Sequence, residues 1–291
     1  MTFSARHERL FFGIVFSVAC TTTRSSPPPS SAPVPTSPTE QAPAPLIPSA
    51  GARSFRYQPG NVGYQVTRSA TITRLDTAGK AELSTNTSHE SLTLDSTDVG
   101  VNFVSVVDSF TTTTQGLIGP VQPTQLPVQI SGSFTPGGLA ISNEPPSEKC
   151  NPVHSVLSAD LYNLLVPIPQ QLSPGFSWTD SVEVRGCPAG VPTLSHTTRV
   201  FTVTGEVTYD GRPAVMLQRV DTTRAQGEGG LRQHRVSIDA HGTGTAVYYL
   251  DVASGRIMHL TIIQTLTLGV TASSRQYQLK QDSKQEFGIV R

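Results

Sequence analysis

Charged residues, cysteines and long apolar runs are all scarce in this sequence. Charged side chains make up 14% of the 291 residues, below the roughly 25% of an average soluble domain, and the 21 basic residues balance the 21 acidic ones. A chain without net charge lacks the basic surface that binds phosphate backbones. We therefore expect no nucleic acid partner. Thr, Ser, Val and Gly are abundant, as in many exported β proteins.

No apolar run reaches the roughly 20 residues that a membrane-spanning helix requires. The longest run, residues 10–19 (LFFGIVFSVA), follows the basic residues Arg6 and Arg9 and contains the small residues Ser17 and Ala19 near its end. A short apolar segment between a basic start and small residues is typical of a cleaved export signal. The sequence therefore predicts a signal peptide over residues 1–19.

Cys20 directly follows this segment. The residues Ser17, Val18, Ala19 and Cys20 resemble the lipobox of bacterial lipoproteins, although that family prefers Leu where Ser17 stands. The resemblance implies that Cys20 becomes the lipidated N-terminus and anchors an exported protein in the cell envelope. Thr21, in place of Asp, implies the outer membrane of a diderm. Ser17 and Ala19 also satisfy the ordinary signal peptidase, so a plain secretory signal is the alternative.

Residues 20–52 are too rich in proline to form regular structure. Residues 21–50 contain nine prolines among Ser, Ala and Thr, and only Arg24 and Glu40 are charged there. Proline lacks the backbone donor that helices and sheets use, and such a composition buries no core. We predict a disordered tether, which spans about 90 Å at most if it is fully extended at about 3.1 Å per residue.

Two cysteines remain if Cys20 carries lipid. Cys150 and Cys187 then form an even pair in an oxidising compartment. A disulfide between them closes a loop of about 37 residues, which the chain-entropy relation values at about 4 kcal/mol. Zinc is the alternative, but only Cys150 has a neighbouring histidine, His154, and Cys187 has none. We predict the Cys150–Cys187 disulfide and no metal site.

From residue 53 onward, apolar and polar residues alternate with period two. In residues 64–73 (YQVTRSATIT), positions 64, 66, 70 and 72 are apolar, which indicates a strand with one solvated face. Asp210 and Gly211 predict a tight hairpin. The other predicted strands are residues 81–87, 91–94, 100–110, 128–134, 198–209, 213–221, 235–239, 244–251 and 256–268, with 274–281 as an edge strand. Residues 226–232 and 239–244 are predicted loops.

One helix is predicted near residues 152–166. Asn151 can cap it, and Pro152 suits the first helical position. Apolar residues then recur at positions 153, 156, 157, 161, 164 and 165 until Pro167 ends the pattern. The predicted fold is therefore mainly β: a single domain over residues 53–291, with a strongly twisted antiparallel meander sheet and one packed helix.

A curved antiparallel sheet that embraces a helix resembles the half-barrel of the lipoprotein-carrier and outer-membrane lipoprotein-receptor superfamily, and exported domains of unknown function with the same shape. The resemblance covers residues 53–291, and two related half-sheets are the alternative architecture. It implies that a lipid or another apolar ligand binds between sheet and helix. The candidate pocket residues are Tyr64, Phe103, Leu161, Leu165, Trp178 and Phe201.

The sequence contains no GxSxG, HExxH, P-loop or dinucleotide-binding motif. His259 alternates with apolar residues in a predicted strand, so we interpret it as a packed histidine and not as a catalytic base. We predict no catalytic residue and no cofactor. The leading hypothesis is a non-enzymatic envelope lipoprotein that binds a ligand or a partner. A structural or adhesive protein is one alternative. A periplasmic hydrolase is another, and it requires His241 or His259 within about 3 Å of a carboxylate.

Overall fold

A computed structural model describes residues 53–75, 81–115, 126–142, 150–231, 234–273 and 275–290. The predicted signal peptide, the lipidation site at Cys20 and the predicted tether all lie outside the described residues. Within these ranges, no helix combines the length and the apolar character that crossing a bilayer requires.

The described chain is mainly β, with one α-helix, α1 (Pro152–Leu164), and one short 3-10 turn, Pro188–Gly190. The strands are β1 (Arg53–Ser54), β2 (Gly60–Arg74), β3 (Glu82–Ser96), β4 (Val101–Gln115), β5 (Val128–Thr135), β6 (Gly138–Ile141), β7 (Gln171–Leu172), β8 (Ser177–Gly186), β9 (Thr193–Tyr209), β10 (Arg212–Leu231), β11 (His234–Asp251), β12 (Ile257–Ala272) and β13 (Arg275–Val290).

Eleven of these strands form one antiparallel sheet in the order β6-β5-β4-β3-β2-β13-β12-β11-β10-β9-β8. The sheet is strongly curled into a half-barrel, which confirms the predicted fold class. Register shifts interrupt the pairing at three hairpins, between His89 and Glu90, Met216 and Leu217, and Tyr249 and Leu250. Extra residues of this kind bend a strand and increase its twist, so they favour the curl.

The last strand occupies the centre of the sheet. Residues 275–281 of the predicted edge strand belong to β13, which pairs with β12 on one side and with β2 on the other, while residue 274 lies outside the described residues. One of its polar residues, Gln285, bonds to the buried Asp160 of the helix. The edge assignment was therefore wrong.

Both predicted glycine-containing loops are also strands. Residues 239–244 lie inside β11, and residues 226–231 form the end of β10. Glycine serves close packing here: a Cβ atom at Gly242 would lie 2.0 Å from the Thr265 carbonyl oxygen, and one at Gly227 would lie 2.3 Å from the Pro192 oxygen. Glycine in a strand often marks such close backbone approaches. The predicted hairpin is correct: Asp210 and Gly211 have φ angles of 51° and 73° between β9 and β10.

Helix α1 lies across the concave face of the sheet. Asn151 caps it by accepting hydrogen bonds from the backbone N–H groups of Val153 and His154 at 3.0 and 3.2 Å. The helix contacts β8 at one end of the sheet and β4 and β5 near the other. Since these strands lie so far apart in the strand order, the sheet has to curl for both to reach the helix.

The helix and the sheet share the main hydrophobic core. Val153, Leu157, Leu161 and Leu164 lie along one side of α1 and are buried. They pack with inward residues of both halves of the sheet, such as Phe103 and Phe201. Burial of each such leucine contributes about 2 kcal/mol, so the docking of α1 ties the two ends of the half-barrel together.

Candidate functional site between helix and sheet

The structure places the six predicted pocket residues in the main core. Tyr64, Phe103, Leu161, Leu165 and Phe201 are at most 2% exposed, and Trp178 is partly buried, with its ring stacked on Phe201 at a centroid distance of 4.9 Å. The Tyr64 hydroxyl donates to the Ile257 carbonyl oxygen at 2.9 Å. These side chains contact one another as packed core. A ligand contact for them stays a prediction.

A cavity of about 320 Å³ lies beside α1, between the helix and the edge strand β8. Ligand sites occupy about 300 to 1,000 Å³, so this cavity is large enough for a small molecule. None of the six core residues above is among the residues that line it. Its walls are formed by Cys150, Asn151, His154, Ser155, Ser158, Tyr162, Glu183, Val184, Arg185, Gly186, Cys187, Pro192, Thr193, Leu194 and Gln226.

The spacing of residues along α1 explains how the helix contacts both the cavity and the core. His154, Ser158 and Tyr162 follow each other at intervals of four residues, so they share one side of the helix. The core residues Leu157 and Leu161 lie on the neighbouring side. One face of α1 therefore faces the cavity while the adjacent face is fixed in the core.

The Cys150–Cys187 disulfide forms part of the cavity wall. The predicted pairing is confirmed, and the two Cα atoms lie 5.5 Å apart. The bond ties the residue before the Asn151 cap to the turn that follows β8. The start of the helix and the edge strand therefore cannot separate while the disulfide is intact. The disulfide also indicates an oxidising, exported compartment.

The cavity contains a contact between a hydroxyl and an imidazole. Ser158 Oγ lies 3.4 Å from His154 Nδ1, one helical turn apart, and Ser158 is buried. Apolar wall groups come from Val184, Leu194 and Pro192. The cavity thus combines apolar surface with a few polar atoms, as ligand sites commonly do.

Three arginines from the sheet, of which Arg199 and Arg219 are buried and Arg68 is partly buried, bind the second half of α1; we call Arg68, Arg199 and Arg219 the arginine belt. Arg68 of β2 bonds to the Asp160 side chain. Arg199 of β9 donates to the Tyr162 carbonyl oxygen at 2.6 Å. Arg219 of β10 donates to Asn163 Oδ1 at 2.9 Å. Cations near a helix C-terminus also interact favourably with its dipole.

Arg199 and Arg219 each have one carboxylate partner on the sheet. Arg199 donates to both oxygens of Asp180, at 2.7 and 2.5 Å. Arg219 donates to Asp221 at 2.7 Å and bonds to the Tyr248 hydroxyl. Burial acts to lower the pKa of Arg199, but Asp180, Tyr248 and Asp221 outweigh it and raise that pKa. The Arg199 guanidinium is therefore charged, and both arginines are paired inside the protein.

Arg68 is shared by two carboxyl groups. Its Nη2 atom bonds to Glu90 Oε1 at 2.9 Å and to Asp160 Oδ2, and its Nη1 atom donates to Ser88 Oγ at 2.8 Å. Gln285 of β13 donates to Asp160 Oδ1 at 2.5 Å. Burial raises the pKa of Asp160 well above its usual range, the Arg68 charge opposes that rise, and the Glu90 carboxyl adds to it.

The belt separates two apolar regions of the concave face. A second core lies beyond it, formed by Val191, Val236, Ile238, Ala240, Leu268, Val270, Ala272 and Leu279. Along β11, Ile238 of this core and Tyr248 of the main core are ten residues apart, about 33 Å at about 3.3 Å per residue. The buried inward positions between them on β10 are Arg219, Asp221 and Thr223, and the partly buried Ala225 packs against the second core. The concave face is therefore apolar, polar and apolar again along the strands.

The predicted histidine candidates lie away from the cavity. His259 bonds to Thr261 Oγ1 at 3.1 Å and stacks on Tyr209 at 5.5 Å, and burial lowers its pKa. In the described ranges, neither His241 nor His259 bonds to a carboxylate, and no group of three metal-binding side chains occurs. Comparison with protein-family models finds no match, and comparison with curated proteins finds no similar sequence.

Sequence reasoning missed the arginine belt. Each arginine lies two residues from a buried apolar residue of its own strand, so both side chains point to the inward face. Arg68 follows Val66, Arg199 precedes Phe201, and Arg219 follows Leu217. A charged residue in phase with buried neighbours is a detectable signal, because a buried charge needs a partner. The partners could not be named in advance, since they come from distant parts of the chain.

Proposed function

We propose that the protein is a non-enzymatic cell-envelope lipoprotein that binds a small apolar ligand, with one polar end, between α1 and the edge of the half-barrel. The observation that carries the proposal is the cavity of about 320 Å³ beside α1. Its apolar surface suits the body of such a ligand, and the His154 and Ser158 side chains suit its polar end.

The exported location supports the anchor part of the proposal. The disulfide fits an oxidising compartment, and the lipobox-like residues before Cys20 support a lipid on that cysteine. In this proposal the anchor and the proline-rich tether hold the half-barrel at the outer membrane. A Cys20→Ala variant is expected to move from the membrane fraction to the soluble fraction. Membrane association at the wild-type level would contradict the anchor.

The ligand part is tested by native mass spectrometry. The full-length protein is extracted from membranes in mild detergent, and its mass is compared before and after collisional activation. We expect a non-covalent adduct that dissociates on activation, in addition to the covalent lipid. A single species without such an adduct would favour a structural or adhesive envelope protein.

A hydrolase is the second candidate, and one contact favours it. Ser158 Oγ lies 3.4 Å from His154 Nδ1 in the cavity, and a serine beside a histidine is the first requirement of an activated nucleophile. A serine-reactive fluorophosphonate probe distinguishes the candidates. Our proposal expects no labelling. Labelling that disappears in Ser158→Ala and persists in the exposed control Ser177→Ala would support the hydrolase.

A further inference from the structure

The contact between α1 and the centre of the sheet contains more carboxyl groups than cations. Asp160 of the helix and Glu90 of β3 both bond to the same nitrogen of Arg68. Asp160 and Glu90 are each 1% exposed. Glu90 Oε2 is a buried oxygen without a hydrogen-bond partner in the described part of the chain. One guanidinium therefore serves two carboxyl groups away from water.

The charge on this cluster depends on one proton. With both carboxyl groups ionised, the cluster of Arg68, Asp160 and Glu90 has a net charge of −1, and with one proton bound it is neutral. An uncompensated charge is costly in a dry interior. Two close carboxyl groups commonly resolve this conflict by holding a single proton. The closed helix–sheet contact therefore favours the singly protonated cluster.

In the part of the chain that the structure describes, no cation other than Arg68 bonds to Asp160 or Glu90. Among the described elements around Asp160, β2 supplies Arg68, β3 supplies Glu90 and β13 supplies the neutral amide of Gln285. β5 has no charged residue, and Asp108, the charged residue of β4, is exposed beside His89.

The charged groups of the remaining strands that reach the helix have partners of their own. Asp180 of β8 is bound by Arg199 of β9, and Arg219 of β10 is bound by Asp221. The other charged residues of β8, Glu183 and Arg185, are exposed near the cavity. On α1 itself, the other ionisable side chains are His154 and Tyr162, and both line the cavity.

We propose that Asp160, Arg68 and Glu90 form a proton-operated latch, which holds α1 on the sheet while one of the two carboxyl groups is protonated and loosens it when both are ionised. Asp160 is the member that moves, because it belongs to the helix while the other two belong to the sheet. Loosening α1 widens the cavity, since Ser158 and Tyr162 of the same helix line the cavity wall. The latch operates whether or not a ligand is bound.

The sign of the pH dependence follows from the burial of Asp160. In the open state its carboxyl group meets water and has an ordinary pKa of about 3.9. In the closed state burial, opposed by Arg68 and assisted by Glu90, raises that pKa. Opening therefore releases a proton, and closure is most stable at low pH. The stability of closure is lost progressively as the pH rises from about 3.9 to the raised pKa of the closed state, and it does not change further above that pKa.

Hydrogen exchange of the full-length protein tests the latch. Exchange of a peptide that covers residues 152–164 is measured by mass spectrometry from pH 5 to pH 9 and corrected for intrinsic amide exchange. In the wild type we expect the opening constant of α1 to rise with pH, by up to about tenfold per pH unit. In Asp160→Asn, the opening constant is expected to be independent of pH.

Two further variants separate the latch from a general loss of packing. Glu90→Gln leaves one carboxyl group for Arg68, so its profile should also be flat, and it replaces Asp160→Asn if that variant does not fold. Asp180→Asn removes the carboxylate of a one-to-one pair with Arg199, so it should raise opening by the same factor at every pH. A flat wild-type profile, or equal slopes in wild type and Asp160→Asn, would overturn the proposal.

Discussion

Cys150 and Cys187 stand on two walls of one cavity, and their disulfide, with Cα atoms 5.5 Å apart, joins the start of α1 to the end of β8. The opposite end of the helix is held by a different means, the arginine belt. One covalent and several polar contacts thus fix the same helix over the concave sheet. The helix is the element on which the stability of the closed cavity depends.

Replacing both cysteines by serine should destabilise the protein by about 2 to 4 kcal/mol, because the disulfide closes a long loop in the unfolded chain. Urea unfolding of the oxidised wild type and of Cys150→Ser/Cys187→Ser measures the difference. The reduced wild type serves as the control and should match the double variant. A change below about 1 kcal/mol would mean that the helix start is held by other contacts.

Leu157→Ala should cost about 2 to 5 kcal/mol of unfolding free energy, since it opens a void in a well-packed region. Leu157 is 0% exposed at the centre of the helix–sheet core. Val200→Ala is the control, because Val200 is 42% exposed on the outer face, and such surface changes stay within about 0.5 kcal/mol. Equal effects of the two substitutions in urea unfolding would contradict the described packing.

Arg219→Met should cost about 3 to 5 kcal/mol, because it leaves the Asp221 carboxylate buried without its cation. Arg219 and Asp221 are 4% and 3% exposed, and their ion pair measures 2.7 Å. Adding Asp221→Leu removes the stranded charge, so the double variant should be more stable than Arg219→Met. If the loss of unfolding free energy in the double variant equalled the sum of the losses in Arg219→Met and Asp221→Leu, measured by urea unfolding, the two residues would not be a coupled pair.

His259 should make stability fall at acid pH. Burial lowers its pKa in the folded protein, so the unfolded chain binds the proton more readily. The free energy of unfolding begins to fall as the pH drops through the ordinary histidine pKa of about 6.5, and it continues to fall down to the lowered pKa of the folded protein. Thermal unfolding between pH 4 and pH 8 measures it. His259→Gln should remove part of the loss, and the exposed His241→Gln should retain all of it.

The sequence predicted the fold class well because its signals are local. Alternation at residues 64–73, the Asp210–Gly211 turn and the Asn151 cap each act within a few residues. The glycines at 227 and 242 misled the prediction, since their role depends on neighbours across the sheet. The polar strand β13 was misassigned for the same reason: its partners, β2 and Asp160 of the helix, are distant in the chain.

The candidate site was only partly predictable. The pairing of Cys150 with Cys187 follows from counting, because the cysteines are so few. The cavity could not be predicted from the sequence, since its walls combine one side of α1 with β8 and the ends of β9 and β10. Large apolar residues such as Tyr64 and Phe103 were natural pocket candidates, but size and apolarity alone do not distinguish a pocket wall from a packed core.

Ligand retention in a filled cavity tests the central claim most directly. Val184 lines the cavity on β8, while Val200 of the neighbouring strand faces solvent. Val184→Trp fills the cavity, and Val200→Trp adds the same bulk to the outer face. Native mass spectrometry of the three full-length proteins should show the non-covalent adduct in the wild type and in Val200→Trp, and its loss in Val184→Trp. Equal adduct in all three, or none in the wild type, would contradict ligand binding at this site.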